Sequence, residues 1–118
     1  MSRLLSKRYD QQHCKCIWCG ETMWLVGRLP ARTFAQRNFK TLKQVQKELR
    51  ATREHLLPRS HGGGSDFNIV ASCLKCNNER SDKLFSKKPV PHVAMLLPLE
   101  VQFYITSLLN PEHERKKK

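Results

Sequence analysis

Glu54 and His55 stand side by side, followed by Pro58, a glycine run at 62–64, Asn68, and a Cys73-Leu74-Lys75-Cys76 pair that runs straight into Asn77 and Asn78. Carboxylate and carboxamide oxygens are hard metal ligands, an imidazole accepts protons near neutral pH, and paired thiols hold borderline cations such as zinc. Glycines let the backbone turn tightly between them. That concentration of chemical groups within one supersecondary unit exceeds what packing asks for and points to a small metal-dependent active site.

The cysteines extend the pattern. A second pair, Cys16-Ile17-Trp18-Cys19, lies upstream, and two converging pairs give the four thiolates that a tetrahedral structural zinc prefers. Five cysteines is an odd number, and together with an expected reducing compartment this favours metal over disulfides, a redox dithiol or free buried cysteines being the alternatives. Cys14 is left as a spare thiol, and His13 is passed over because four better-spaced thiolates are at hand. Zinc also answers a shortage of core: a chain of 118 residues that is 39% apolar buries only a modest interior, and ligation of separated segments adds folding free energy directly.

Charge says what the site meets. The formal net charge is +12, from 22 Lys and Arg against 10 Asp and Glu, which favours a polyanionic partner, nucleic acid ahead of membrane. Residues 27–50 hold Arg28, Arg32, Arg37, Lys40, Lys43, Lys47 and Arg50 against Glu48 alone, a local +6, whereas residues 51–80 carry only +1. The cations flank the reactive stretch and are largely separate from it, as expected if Arg37, Lys40, Lys43 and Lys47 hold phosphates; the alternative is a solvated helix face. No segment is apolar for long enough to span a bilayer and the start lacks the apolar run of a signal peptide, so a soluble intracellular protein is expected, in a prokaryotic cytoplasm or a phage-infected cell.

Several elements must position these groups. Residues 1–13 read as a polar, basic and partly mobile lead-in. A knuckle at Cys16–Cys19 leads into an apolar run, 23–26, suited to a short strand; Trp18 and Trp24 are packing residues. Thr41-Leu42-Lys43-Gln44 has the form of a capping box, and Leu42, Val45 and Leu49 share a face, predicting a helix over 41–50. A strand over 51–56 ends at His55, the glycine run turns the chain, and 68–72 forms a second strand. A helix from Cys76 to about Lys83 follows, with the acid-histidine pair opposite its first turn. Residues 84–91 are a connector. A helix from Pro98 buries Val101, Ile105 and Leu108 and stops at Asn110-Pro111, with a strand over 101–106 as the other reading; its apolar face closes the core or makes a dimer contact. A basic tail, 111–118, ends the chain.

Glu54-His55, Pro58, Gly62-Gly63, Asn68 and Cys73-x-x-Cys76-Asn77 together resemble the HNH endonuclease family, whose zinc-stapled members carry an additional upstream Cys-x-x-Cys, here Cys16 and Cys19. The resemblance spans residues 16–83, its specific part 53–83, within a domain of 14–83 that includes the insertion 27–50. It implies an α+β, ββα-metal (His-Me finger) domain with a structural four-cysteine zinc site and flanking helices. By the same resemblance His55 is the general base, and Glu54 with the side-chain oxygen of Asn77 holds catalytic magnesium or manganese. Asn68 ties the loop together and orients His55 through its backbone carbonyl. Three features depart from the family pattern: Asn77 replaces a histidine, the interval between Cys19 and His55 is long, and Asn78 doubles Asn77. Arg80 and Lys83 are phosphate contacts or exposed helix charges. His61 is a loop residue.

The expectation is therefore an endonuclease hydrolysing phosphodiester bonds in DNA, with RNA left open, acting as a monomer or homodimer. The alternatives are a catalytically inactive zinc-dependent nucleic-acid-binding module, or a subunit of a phage packaging or restriction complex.

Overall fold

Two antiparallel strands, β1 (Ala51–His55) and β2 (Ile69–Cys73), pair with Ala51 opposite Cys73 and His55 opposite Ile69. This computed structural model describes residues 3–57, 66–80 and 88–109. The expected glycine turn, Pro58, His61, Lys83, the Asn110-Pro111 stop and the basic tail lie outside the described residues. β2 follows a single helical turn, Asp66–Asn68, and passes without a linker into helix α4 (Leu74–Arg80), which packs on both strands. Around this strand–strand–helix unit the fold is mixed α+β, with helices α1 (Arg3–Gln11), α2 (Ala31–Arg37), α3 (Leu42–Lys47), α5 (Pro91–Ala94) and α6 (Leu99–Leu109).

The expected strand ending at His55 is present, while β2 starts one residue later than expected because Asn68 closes the preceding turn. α4 starts at Leu74 and not at Cys76, since the Leu74 amide already donates to Arg50 O (2.8 Å) and the helix grows from that anchored end. α3 is capped as its sequence predicts: Thr41 Oγ1 accepts from the Gln44 amide and the Gln44 side chain accepts from the Thr41 amide. α6 buries Val101, Ile105 and Leu108, the face read from the sequence.

Two expectations are corrected. The run 23–26 is not a strand; it makes one isolated bridge, Trp24 with Arg50, next to a Lys15–Thr22 bridge just before it, and the chain turns again from Val26, leaving too little extended backbone to build a ladder. Gly20, at φ 76°, lets the Cys16–Gly20 turn close through a Gly20 amide to Cys16 carbonyl bond of 2.9 Å.

The second correction concerns the expected mobile lead-in, most of which forms α1. Leu5, Arg8, Tyr9 and Gln12 recur at helical spacing and are all buried. Their polar members serve the outer edge of β2. Arg8 Nε donates to Ile69 O (2.8 Å), and the Gln12 carboxamide both donates to Ala71 O (2.9 Å) and accepts from Ala71 N (2.8 Å). The next outward amide, that of Cys73, donates to Cys16 Sγ. Buried main-chain groups need partners, so Gln12→Ala should strand the Ala71 amide, whose carbonyl keeps the Ile17 amide at 3.2 Å, and cost about 1–3 kcal/mol. Urea unfolding measures this; a change within error of zero would mean water replaces the carboxamide.

The main core gathers Ile17, Met23, Leu25, Leu56, Val70, Val93 and Val101, among others, between α1, the sheet and the C-terminal helices. A separate small cluster, Phe34, Ala35, Val45 and Leu49, with Trp24 and Ala31 packed against it, holds α2 and α3 together as a hairpin.

Candidate functional site

The β2–α4 junction places Cys73 at the last strand position and Cys76 in the first helical turn, while the knuckle brings Cys16 and Cys19 up to them. All four Sγ atoms lie within 4.8 Å of one another, and Cys19 Sγ is 3.9 Å from Cys73 Sγ. Four sulfurs around a tetrahedral zinc, each at about 2.3 Å, sit roughly 3.8 Å apart. The group can therefore hold a structural metal such as zinc. Main-chain amides support the reading: Trp18 N and Cys73 N both donate to Cys16 Sγ (3.3 Å each) and Cys76 N to Cys73 Sγ (3.4 Å), favouring thiolates over thiols. Hydrogen bonds from the Cys19, Cys73 and Cys76 thiols push Cys16 far down, and Cys73 and Cys76, as donors to Cys16, are pushed far up. A cation in their midst is what lets all four ionise together. Cys14, at φ 67°, stands outside the group.

Strand alternation puts Thr52 and Glu54 on one face of β1, and helical spacing puts Asn77 and Arg80 on one face of α4. These faces meet. Asn77 Nδ2 donates to Thr52 Oγ1 (2.9 Å) and to Arg53 O (3.1 Å). Glu54, only 4% exposed, accepts from Trp18 Nε1 at 3.0 Å and pairs with Arg80 Nη1 at 3.2 Å. The acid thus meets the last turn of α4 and not the first, a correction that follows from the helix's early start. Burial pushes the Glu54 carboxyl above the usual carboxylate range, against the downward pull of the Trp18 indole and the Arg80 guanidinium.

Arg80 is corrected too. At 1% exposure it is neither a phosphate contact nor an exposed helix charge. Its guanidinium pairs with Glu54, donates to His55 O (2.6 Å) and to Leu56 O, and lies 4.7 Å from the centre of the Trp18 ring. Burial lowers its pKa, and Glu54 opposes that shift. Asn68 completes the support from the other side. Its side chain accepts from Leu57 N and donates to Leu57 O, both at 2.7 Å, and its carbonyl accepts from Leu56 N. His55, half-buried at the end of β1, is thereby held with the two residues after it fixed through their main chain.

Tested against this geometry, Glu54 does not fit a divalent cation: it is buried between the Trp18 indole and the Arg80 guanidinium, with one oxygen on each, and Asn77 is turned to Thr52 and Arg53. Arg37, Lys43 and Lys47 are on the solvent side of the α2–α3 hairpin. Lys40 lies on the wall of a cleft of about 270 Å³ that Cys19, Cys73 and Cys76 also line. Sequence reasoning missed Trp18 and Arg80 as partners of Glu54; the signal available was the shared-face spacing of 52 with 54 and of 77 with 80.

No family model matches the chain, and no curated protein and no solved structure matches it either.

Proposed function

We propose that this protein is a zinc-stapled endonuclease of the HNH kind, hydrolysing phosphodiester bonds in DNA. The observation that carries the reading is the double fixing of the strand end at His55, by Arg80 through the His55 and Leu56 carbonyls and by Asn68 through Leu57, next to a four-cysteine centre. A general base must be held in one orientation to act, and few structural needs call for so many bonds to three consecutive residues. In this reading His55 takes the proton of a water whose oxygen attacks phosphorus. The bond to the 3′ oxygen breaks, and the leaving group takes up a proton. The cations of residues 27–50 hold neighbouring phosphates. The magnesium or manganese expected from the family resemblance is not accommodated at Glu54 as that carboxylate stands, so the reading rests on His55 and its supports.

A second reading has its own observation. The closed Glu54–Arg80–Trp18 contact favours a zinc-dependent module that binds nucleic acid without cutting it. Supercoiled plasmid, incubated with magnesium, manganese or EDTA, separates the two. The wild type should nick or linearise it, and His55→Ala should lose roughly 100-fold or more of the rate while still binding DNA. Equal cleavage by both proteins would remove His55 from the chemistry. Binding without cleavage under any metal would leave the second reading standing.

A further inference from the structure

We propose that the α2–α3 hairpin is a base-stacking device, in which Phe39 packs against nucleobases of duplex DNA while Arg37, Lys40, Lys43 and Lys47 hold the adjoining phosphates. The inference rests on the nucleic-acid reading above and adds to it the residue that touches bases.

Phe39 is 96% exposed, although a phenyl ring is among the groups that gain most from burial. Its backbone is also in an expensive place. α2 ends in a Schellman closure: the Lys40 amide reaches back to Ala35 O (2.9 Å) and the Phe39 amide to Gln36 O (3.4 Å), with the Asn38 amide and side chain both on Phe34 O. The residue at the turning point must be left-handed, and here that is Phe39 at φ 55°. Glycine is the ordinary occupant, because a side chain there crowds the following carbonyl. The chain thus carries strain and surface exposure at one position, and the combined result is an aromatic ring projected from a rigid turn. Such outliers, when surrounding bonds over-determine them, mark binding sites more than folding needs.

The surroundings select the partner. Arg37 and Lys40 flank Phe39 in the chain, and Lys43 and Lys47, one helical turn apart, share the outer side of α3. Among the described residues no carboxylate lies within ion-pair distance of any of the four. By contrast Arg28, at the hairpin's base, is neutralised by Asp10 at 3.0 Å. Lys40 shares its cleft with Glu21, Glu48 and Glu79, while an aromatic ring beside the exposed Arg37, Lys43 and Lys47 matches a ligand that alternates flat apolar rings with phosphates. Aromatic wedges that enter a base step and basic side chains that track the backbone are the two halves of that recognition.

The test uses the zinc-loaded chain of 118 residues and a short duplex carrying 2-aminopurine, which brightens when unstacked. Anisotropy across a salt series gives affinity. The wild type should bind and raise the 2-aminopurine signal. Phe39→Ala should bind roughly ten-fold or more weakly, give no brightening at saturation, and keep the wild-type salt slope. Phe39→Trp should restore both signals. Lys43→Ala with Lys47→Ala should flatten the salt slope by nearly one unit for each phosphate no longer held, yet still brighten the probe when saturated. Phe39→Gly should melt a few degrees higher than the wild type as the turn relaxes, which separates loss of stacking from loss of fold. If Phe39→Ala binds and brightens like the wild type, the proposal is overturned while DNA binding stands. If the wild type binds no DNA, the nucleic-acid reading falls and the hairpin proposal with it.

Discussion

Cys73→Ser should unfold the domain, as should stripping the wild type with a strong zinc chelator. The four thiols lie within 4.8 Å of one another and join the knuckle to the β2–α4 junction, so a metal there bridges chain segments that are far apart in sequence. Apparent binding free energies of structural zinc, about 10–16 kcal/mol, exceed or match the whole stability of an ordinary domain, about 5–15 kcal/mol. Circular dichroism with metal analysis checks this: one zinc per chain, loss of helical signal on chelation, and recovery on adding back one equivalent. Cys14→Ser, outside the group, should keep its zinc. A cooperative melt that survives complete metal removal would mean that the apolar core suffices and that the thiols serve another end.

Arg80→Met should cost about 3–5 kcal/mol, the usual penalty for leaving a buried charge without its partner. The guanidinium is nearly inaccessible and serves Glu54, His55 O and Leu56 O together. The loss should also depend on pH. Burial already raises the Glu54 carboxyl, with Arg80 drawing it down; without Arg80 the folded-state pKa rises further. A group raised on folding stabilises below its unfolded pKa and loses that contribution as pH climbs through the folded value. The variant should therefore be destabilised more at pH 8 than at pH 5.5, each compared with the wild type in chemical denaturation. Equal penalties at both pH values would mean that Glu54 keeps a single protonation state across this range in both folded proteins. Because Arg80 holds the His55 carbonyl, the same variant should lose any cleavage that depends on His55.

Much of the framework was legible because it follows local rules. The two Cys-x-x-Cys pairs foretold a cluster, the Thr41 box foretold the start of α3, and Val101, Ile105 and Leu108 foretold the buried face of α6. What stayed hidden depends on long-range pairing. The helix α1 went unread because Arg8 and Gln12, polar by type, occupy core-facing positions, and their purpose is visible only once β2 lies beside them. The family resemblance made Glu54 a metal ligand, and Arg80 read as a phosphate contact or an exposed helix charge. Only the packing of α4 across β1 turns them toward one another, and only the knuckle supplies Trp18 as the third member. Phe39 gave no signal at all, since a left-handed backbone at a non-glycine residue has no reliable trace in composition.

A ribbon of two strands ordinarily invites a third, and that invitation is how many small domains come to polymerise. Here the margin of β2 is sealed at Ile69, Ala71 and Cys73 by Arg8, Gln12 and Cys16 in turn, and Trp24 lies against the entry to β1. Each seal is a side chain or a single residue, unable to pass the ladder on to a further chain. Among the described residues, copies of this molecule consequently have no open margin of β2 to offer one another while α1 is docked, and a symmetrical pairing there must be made by helices. Loss of α1 would bare only the Ile69 carbonyl and the Ala71 amide of that margin, because Cys16 and Ile17 keep their bonds to Cys73 and Ala71.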